Sequence, residues 1–125
     1  MTWTIARPAV SAAAACLLAL ALGGCASGPM GPAPVVTDPL NAGNVTFYRD
    51  GSWVGLWTNI RVRLDGRDLV RLGVGEHYSF SLDPGEYLVE FAMGFNQCRR
   101  AILVRPKTSY RYRMVPNCYF VDESY

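Results

Sequence analysis

Whatever chemistry this chain of 125 residues can do falls to four cysteines, one histidine and a few neighbouring acids and hydroxyls. Cys16 and Cys25 stand near the start, Cys98 and Cys118 toward the end. Nucleophilic catalysis needs a thiol or hydroxyl within reach of a base. The lone histidine, His77, follows Glu76 and opens an expected strand. Ser79 shares its strand face, but two positions apart on a strand is a poor geometry for proton transfer. His77 therefore reads as a surface residue. Asp65 and Asp68 flank a turn, where such side chains shape and solvate the backbone. The sequence holds no CxxC and no glycine-rich phosphate loop, and two cysteines with one distant histidine are a poor zinc set. These residues predict a chain that is not an enzyme, with no metal site and no cofactor. Its charge, 12 Lys+Arg against 10 Asp+Glu, lacks the basic excess of a nucleic-acid binder.

Cys25 has a different setting. Arg7 supplies a positive start, and residues 9–22 are apolar or small and uncharged. That run is short of the ~20 helical residues a bilayer core requires, and suits the apolar segment of a signal peptide. It ends in Leu22, Gly23, Gly24 and Cys25, which resembles the bacterial lipobox. The resemblance implies a diacylglyceryl thioether on Cys25, cleavage just before it, and anchoring by two or three acyl chains. Cys16 fits less well, because Ala13 stands where the large residue belongs. Ala26 and Ser27 follow Cys25, without the aspartate that marks inner-membrane retention. The expected location is the periplasmic face of the outer membrane, with the bilayer as a partner through the lipid.

With Cys16 removed and Cys25 acylated, Cys98 and Cys118 remain as an even pair in an oxidising compartment. A hairpin turning near Pro106, Lys107 and Thr108 would place them nearly opposite each other. A structural disulfide is expected, worth ~3 kcal/mol.

Two groups of side chains suit binding. Trp53 and Trp57 lie in a glycine-bearing loop, where they either cap the core or meet a sugar, a protein or lipid. Arg61, Arg63, Arg111 and Arg113 occupy the polar positions of two strands, with Arg99 and Arg100 near. If those strands share a sheet, the arginines form a basic stripe suited to anionic peptidoglycan or headgroups. Otherwise they are solvated side chains whose stems cover neighbours.

The elements that must position these residues are strands. Residues 26–43 carry Pro29, Pro32, Pro34 and Pro39 among small residues and show no period. They read as a disordered tether reaching about 50 Å at ~3.1 Å per residue. From Asn44 the apolar period becomes two: Val45 and Phe47; Ile60, Val62 and Leu64; Tyr78, Phe80 and Leu82; Tyr87, Val89, Phe91 and Met93; Tyr110, Tyr112 and Met114. Residues 101–104 form a short continuous apolar run. Asp65 and Gly66 suit a type I′ hairpin. Pro84 and Gly85 suit positions i+1 and i+2 of a type II turn. The expected organisation is a signal peptide at 1–24, the lipidated cysteine and tether at 25–43, and a small antiparallel β-sandwich of six to eight strands at 44–125.

The strings VTFYR, VRLDGRDLVRL and YSFSLDPGEYLVEF resemble a family of small bacterial lipoprotein domains that has no assigned activity. The DG and PGEY elements are also similar to PEGA-type surface-layer modules. The resemblance spans roughly residues 44–95 and implies a sandwich of the immunoglobulin or transthyretin kind. Asp50 stands where family members often have proline, so the 50–57 loop departs from the pattern. The function expected is a lipid-anchored, non-enzymatic binding or structural module of the cell envelope. It would meet an envelope protein or peptidoglycan and no nucleic acid. The alternative is a lipoprotein inhibitor of a cell-wall hydrolase such as lysozyme.

Overall fold

The computed structural model describes residues 27–51 and 57–124; the expected signal segment at 1–24, Cys25 and Trp53 lie outside the described residues. Among the described residues nine strands run in chain order: β1 (Gly28–Pro29), β2 (Gly43–Arg49), β3 (Ile60–Leu64), β4 (Arg67–Leu72), β5 (His77–Leu82), β6 (Gly85–Met93), β7 (Asn96–Val104), β8 (Ser109–Val115) and β9 (Tyr119–Asp122). They form two sheets, ordered β1-β4-β3-β6-β7 and β5-β2-β8-β9. The two stack as a β-sandwich, the fold class the alternation predicts.

Period two explains the layers. Ile60, Val62 and Leu64 point inward from β3 while Arg61 and Arg63 point outward. Val45 and Phe47 do the same on β2, both at 0% exposure. Burying a side chain such as Phe47 stabilises the fold by ~1.5–3 kcal/mol. An aromatic cluster joins the layers. Phe47 lies 5.3 Å from Phe80 and 6.0 Å from Tyr112, and Phe120 of one sheet meets Phe91 of the other at 5.7 Å.

The turn at Asp65 and Gly66 has φ of +48° and +77°, the two positive values a type I′ hairpin requires. Asp65 also accepts the Leu88 N–H on its Oδ1 at 2.7 Å, which ties the turn to β6. The pairing of β3 with β4 slips between Val62 and Arg63, leaving Leu69 as an extra residue. That bulge lets Leu69 and Val70 both be buried, against the alternation.

Several expectations are corrected. Asp83 and Pro84 do not make a type II turn: Gly85 has φ +155° rather than about +80°. They carry the chain from β5 in one sheet to β6 in the other. The bend at Pro106 and Lys107 likewise crosses between sheets, so β7 and β8 are not a hairpin. The sandwich is not wholly antiparallel, because β2 and β8 pair in parallel. The apolar run at 101–104 lies on the edge strand β7, with Ile102 and Val104 buried and Ala101 and Leu103 exposed.

The described part of the expected tether is docked rather than disordered. Gly28 pairs with Arg71, and Met30 N–H donates to Leu69 O at 3.0 Å. The Thr37 N–H and hydroxyl and the Asp38 N–H all donate to the Asp83 carboxylate, at 2.8–3.1 Å. Proline removes donors from this segment, but the donors that remain find acceptors on the sandwich. Pro29 sits on an edge strand, where its missing N–H costs no ladder bond.

Candidate functional site

The four arginines singled out in the sequence do not form one stripe. β3 and β8 belong to different sheets, so Arg61 and Arg63 face away from Arg111 and Arg113 across the sandwich. The reason is the crossing at Pro106 and Lys107, which places β8 in the layer opposite β7.

On the β8 face the arginines are engaged with neighbours. The Arg111 guanidinium lies 4.2 Å from the Tyr48 ring centroid, within cation–π range. Arg113 Nε sits 3.2 Å from Glu123 Oε1, close enough for ion pairing but off the hydrogen-bond line. The Tyr48 hydroxyl donates to Glu123, and that bond to a carboxylate, with desolvation, holds the phenol pKa above its ordinary value.

The β3 face is built from strand register. One cross-strand row reads Asp68, Arg63, Glu90, Arg99. Its charges alternate, with Arg63 3.3 Å from Asp68 and Arg99 3.8 Å from Glu90. Both pairs are largely solvent-exposed and contribute little to stability. The next row reads Arg71, Arg61, Ala92, Gln97. Here two arginines stand directly opposite each other, an unfavourable pairing unless an anion lies between them. Arg71 Nε points at Met30 Sδ at 3.2 Å, and neither arginine has a carboxylate partner among the described residues. Small Ala92 leaves room, and Arg61, Arg63 and Arg99 with the acids Asp68 and Glu90 line a cleft of about 330 Å³ that reaches Phe91 and Cys98; Arg71, opposite Arg61 on the next strand, is outside the lining. A carboxylate seated there would meet the forked guanidinium of Arg61, the one arginine of the lining without a carboxylate partner among the described residues.

Arg71 was not among the residues singled out. Without the bulge at Leu69, Val70 would stand opposite Arg61, and nothing in the alternation signals the bulge. Arg49 was missed as well. It is 1% exposed, on the inward face of β2, and its guanidinium donates to Thr58 O and, at 3.4 Å, to Leu72 O. Burial pulls its pKa down, while nearby Asp50 and Glu76 pull it up. The guanidinium remains protonated. It joins the end of β2 to the end of β4 and to the residue after Trp57. Parity with Val45 and Phe47 was the signal that would have found it.

Trp57 is 94% exposed, so it does not cap the core. Cys98 and Cys118 are bonded, with Cα atoms 5.3 Å apart. The bond runs from β7 to the turn before β9 and links the two sheets, instead of crossing a hairpin.

A second, more open cleft of about 570 Å³ lies between the edge strands β7 and β9. Tyr110, Tyr112 and Phe120 line its floor, with Arg100, Arg105 and Asp122 around it. Burial first, then the charge of Asp122, pushes the Tyr112 pKa up to about 12, so this phenol stays protonated through the physiological range.

The residues weighed for catalysis are dispersed. His77 is exposed on the edge strand β5, and the Ser79 hydroxyl is 2.7 Å from Thr46 Oγ1. Among the described residues no three His, Cys, Asp or Glu side chains converge to hold a metal. No protein-family model, curated protein or solved structure matches this chain.

Proposed function

We propose that this chain is a lipid-anchored module of the bacterial envelope that works by binding and not by catalysis. Its partner presents carboxylates to Arg61 in the cleft and to Arg71 beside it on the same face. The observation that carries this reading is the Arg61–Arg71 cross-strand pair: neither cation has a carboxylate partner among the described residues, and Arg61 lines a cleft whose own acids, Asp68 and Glu90, are paired with Arg63 and Arg99. Export is supported by the lipobox-like run ending at Cys25 and by the Cys98–Cys118 bond, which suits an oxidising compartment. In that compartment the stem peptides of peptidoglycan supply carboxylates, and they are the first ligand to test.

The acylated protein, held in detergent, is mixed with purified peptidoglycan and sedimented at rising salt. Binding that falls with salt is expected, roughly tenfold weaker in R61A/R71A, the loss of about one charge-assisted hydrogen bond. R111A should bind as wild type, because its face lies on the other side. Equal pelleting of wild type and R61A/R71A would remove the cleft from the contact. Capture of a cell-wall hydrolase with loss of its lytic activity would favour the inhibitor reading instead.

A further inference from the structure

The strands fix where the chain leaves for its anchor. β2, β4, β6 and β8 finish, and β3, β5, β7 and β9 begin, at one end of the sandwich. Ser27 is at that end. It precedes Gly28, which pairs with Arg71 near the finish of β4, and its hydroxyl donates to Glu76 Oε1 at 2.6 Å. Cys25 stands two residues earlier, so its Cα lies within about 7 Å of that of Ser27 whatever its conformation. A lipid on Cys25 therefore brings this end of the domain against the bilayer.

The same end carries the exposed aromatic side chains. Trp57, Phe95 and Tyr119 are 94%, 106% and 65% exposed. They are the only exposed large hydrophobics of the described residues that are aromatic; the others are Val35, Leu40, Leu88 and Leu103. Trp57 lies between β2 and β3, Phe95 in the turn between β6 and β7, and Tyr119 at the start of β9. Each position is held from behind. Arg49 binds Thr58 O next to Trp57, and the Cys98–Cys118 bond joins β7, just after the Phe95 turn, to the turn before Tyr119. Aromatic rings in this amphipathic role favour the headgroup layer of a membrane.

We infer that Trp57, Phe95 and Tyr119 form a membrane-seating end, and that the domain stands on the bilayer by these three side chains while the lipid on Cys25 holds it there. The inference rests on the anchor reading above. It replaces a module swinging on a tether with one seated on the surface, its β3 face turned sideways along the membrane.

The test uses mature acylated protein reconstituted in phosphatidylethanolamine/phosphatidylglycerol vesicles, with and without brominated acyl chains. The W53F variant leaves Trp57 as the only tryptophan of the chain from Cys25 onward. Mass spectrometry first reads the acyl groups on Cys25. In acylated protein, Trp57 emission shifts to the blue and is quenched by bromine, and F95S/Y119S reduces the quenching. Acylated, vesicle-bound protein whose Trp57 ignores bromine overturns the inference and leaves the anchor standing. A blue shift without quenching, as from contact between copies of the chain, overturns it equally. Protein without acyl groups overturns the anchor and the inference with it.

Discussion

Reducing the Cys98–Cys118 bond should cost this domain a large share of its stability, and the cost should be felt in both sheets. The cysteines are 20 residues apart in sequence. Closing a loop of that size removes unfolded-chain entropy worth ~3 kcal/mol. Small domains have roughly 5–15 kcal/mol in all. With a urea dependence of ~1–1.5 kcal/mol/M, the unfolding midpoint should drop by roughly 2–3 M on reduction. The assay is urea denaturation of the protein, followed by tryptophan emission and circular dichroism, with and without dithiothreitol. C98A/C118A without reductant should match the reduced wild type, which separates the bond from any effect of the reagent. Because the bond joins β7 of one sheet to the turn before β9 of the other, amide protection should fall together in both strands. A midpoint change below about 0.5 M, or loss of protection in one sheet only, would refute the reasoning.

Arg49→Met should destabilise by roughly 2 kcal/mol, because Thr58 O and Leu72 O lose a charged donor in a buried setting; equilibrium unfolding measures it. Gly43→Ala places a Cβ 2.5 Å from Val104 Cγ1 and 3.1 Å from Thr108 O, and should cost ~1–3 kcal/mol in the same assay. The N–H groups of Thr37 and Asp38 and the Thr37 hydroxyl hold the Asp83 carboxyl below its ordinary pKa of 3.8. Its contribution is therefore present above that value and is lost as pH falls from there through the native pKa. Amide exchange at Thr37 and Asp38 should speed up over that acid range, and Asp83→Asn should speed it at neutral pH and flatten the acid dependence.

The alternating strands and the turn at Asp65 and Gly66 were legible in the sequence because each expresses a local rule. Period two orients Ile60, Val62 and Leu64 whatever partners the strand finds, and an Asp–Gly pair favours its turn without outside help. The assignment of strands to sheets was not legible. Pro106 and Lys107 look alike whether the chain folds back within a sheet or steps to the next one, so the bonded cysteines were expected but not their placement between sheets. The parallel pairing of β2 with β8 is a long-range choice with no local mark. The docked segment at 27–43 was hidden by composition: prolines and small residues suggest a solvated coil, and only the few remaining N–H groups show otherwise once Asp83 is in place. At the candidate site, the outward parity of Arg61 and Arg63 was readable. Their company on the β3 face was not, because it depends on one extra residue at Leu69.

The β2–β8 pairing also bears on when the chain can set. Asn44 aligns with Ser109 and Arg49 with Met114, so one central seam joins two stretches 65 residues apart in sequence. Contacts this distant form late, since the intervening loop must close first. Until β8 and β9 arrive, β2 has only β5 beside it, and the aromatic cluster lacks Tyr112 and Phe120. A polypeptide of this design stays slack while its early strands wait, and hardens only when β8 and β9 have docked.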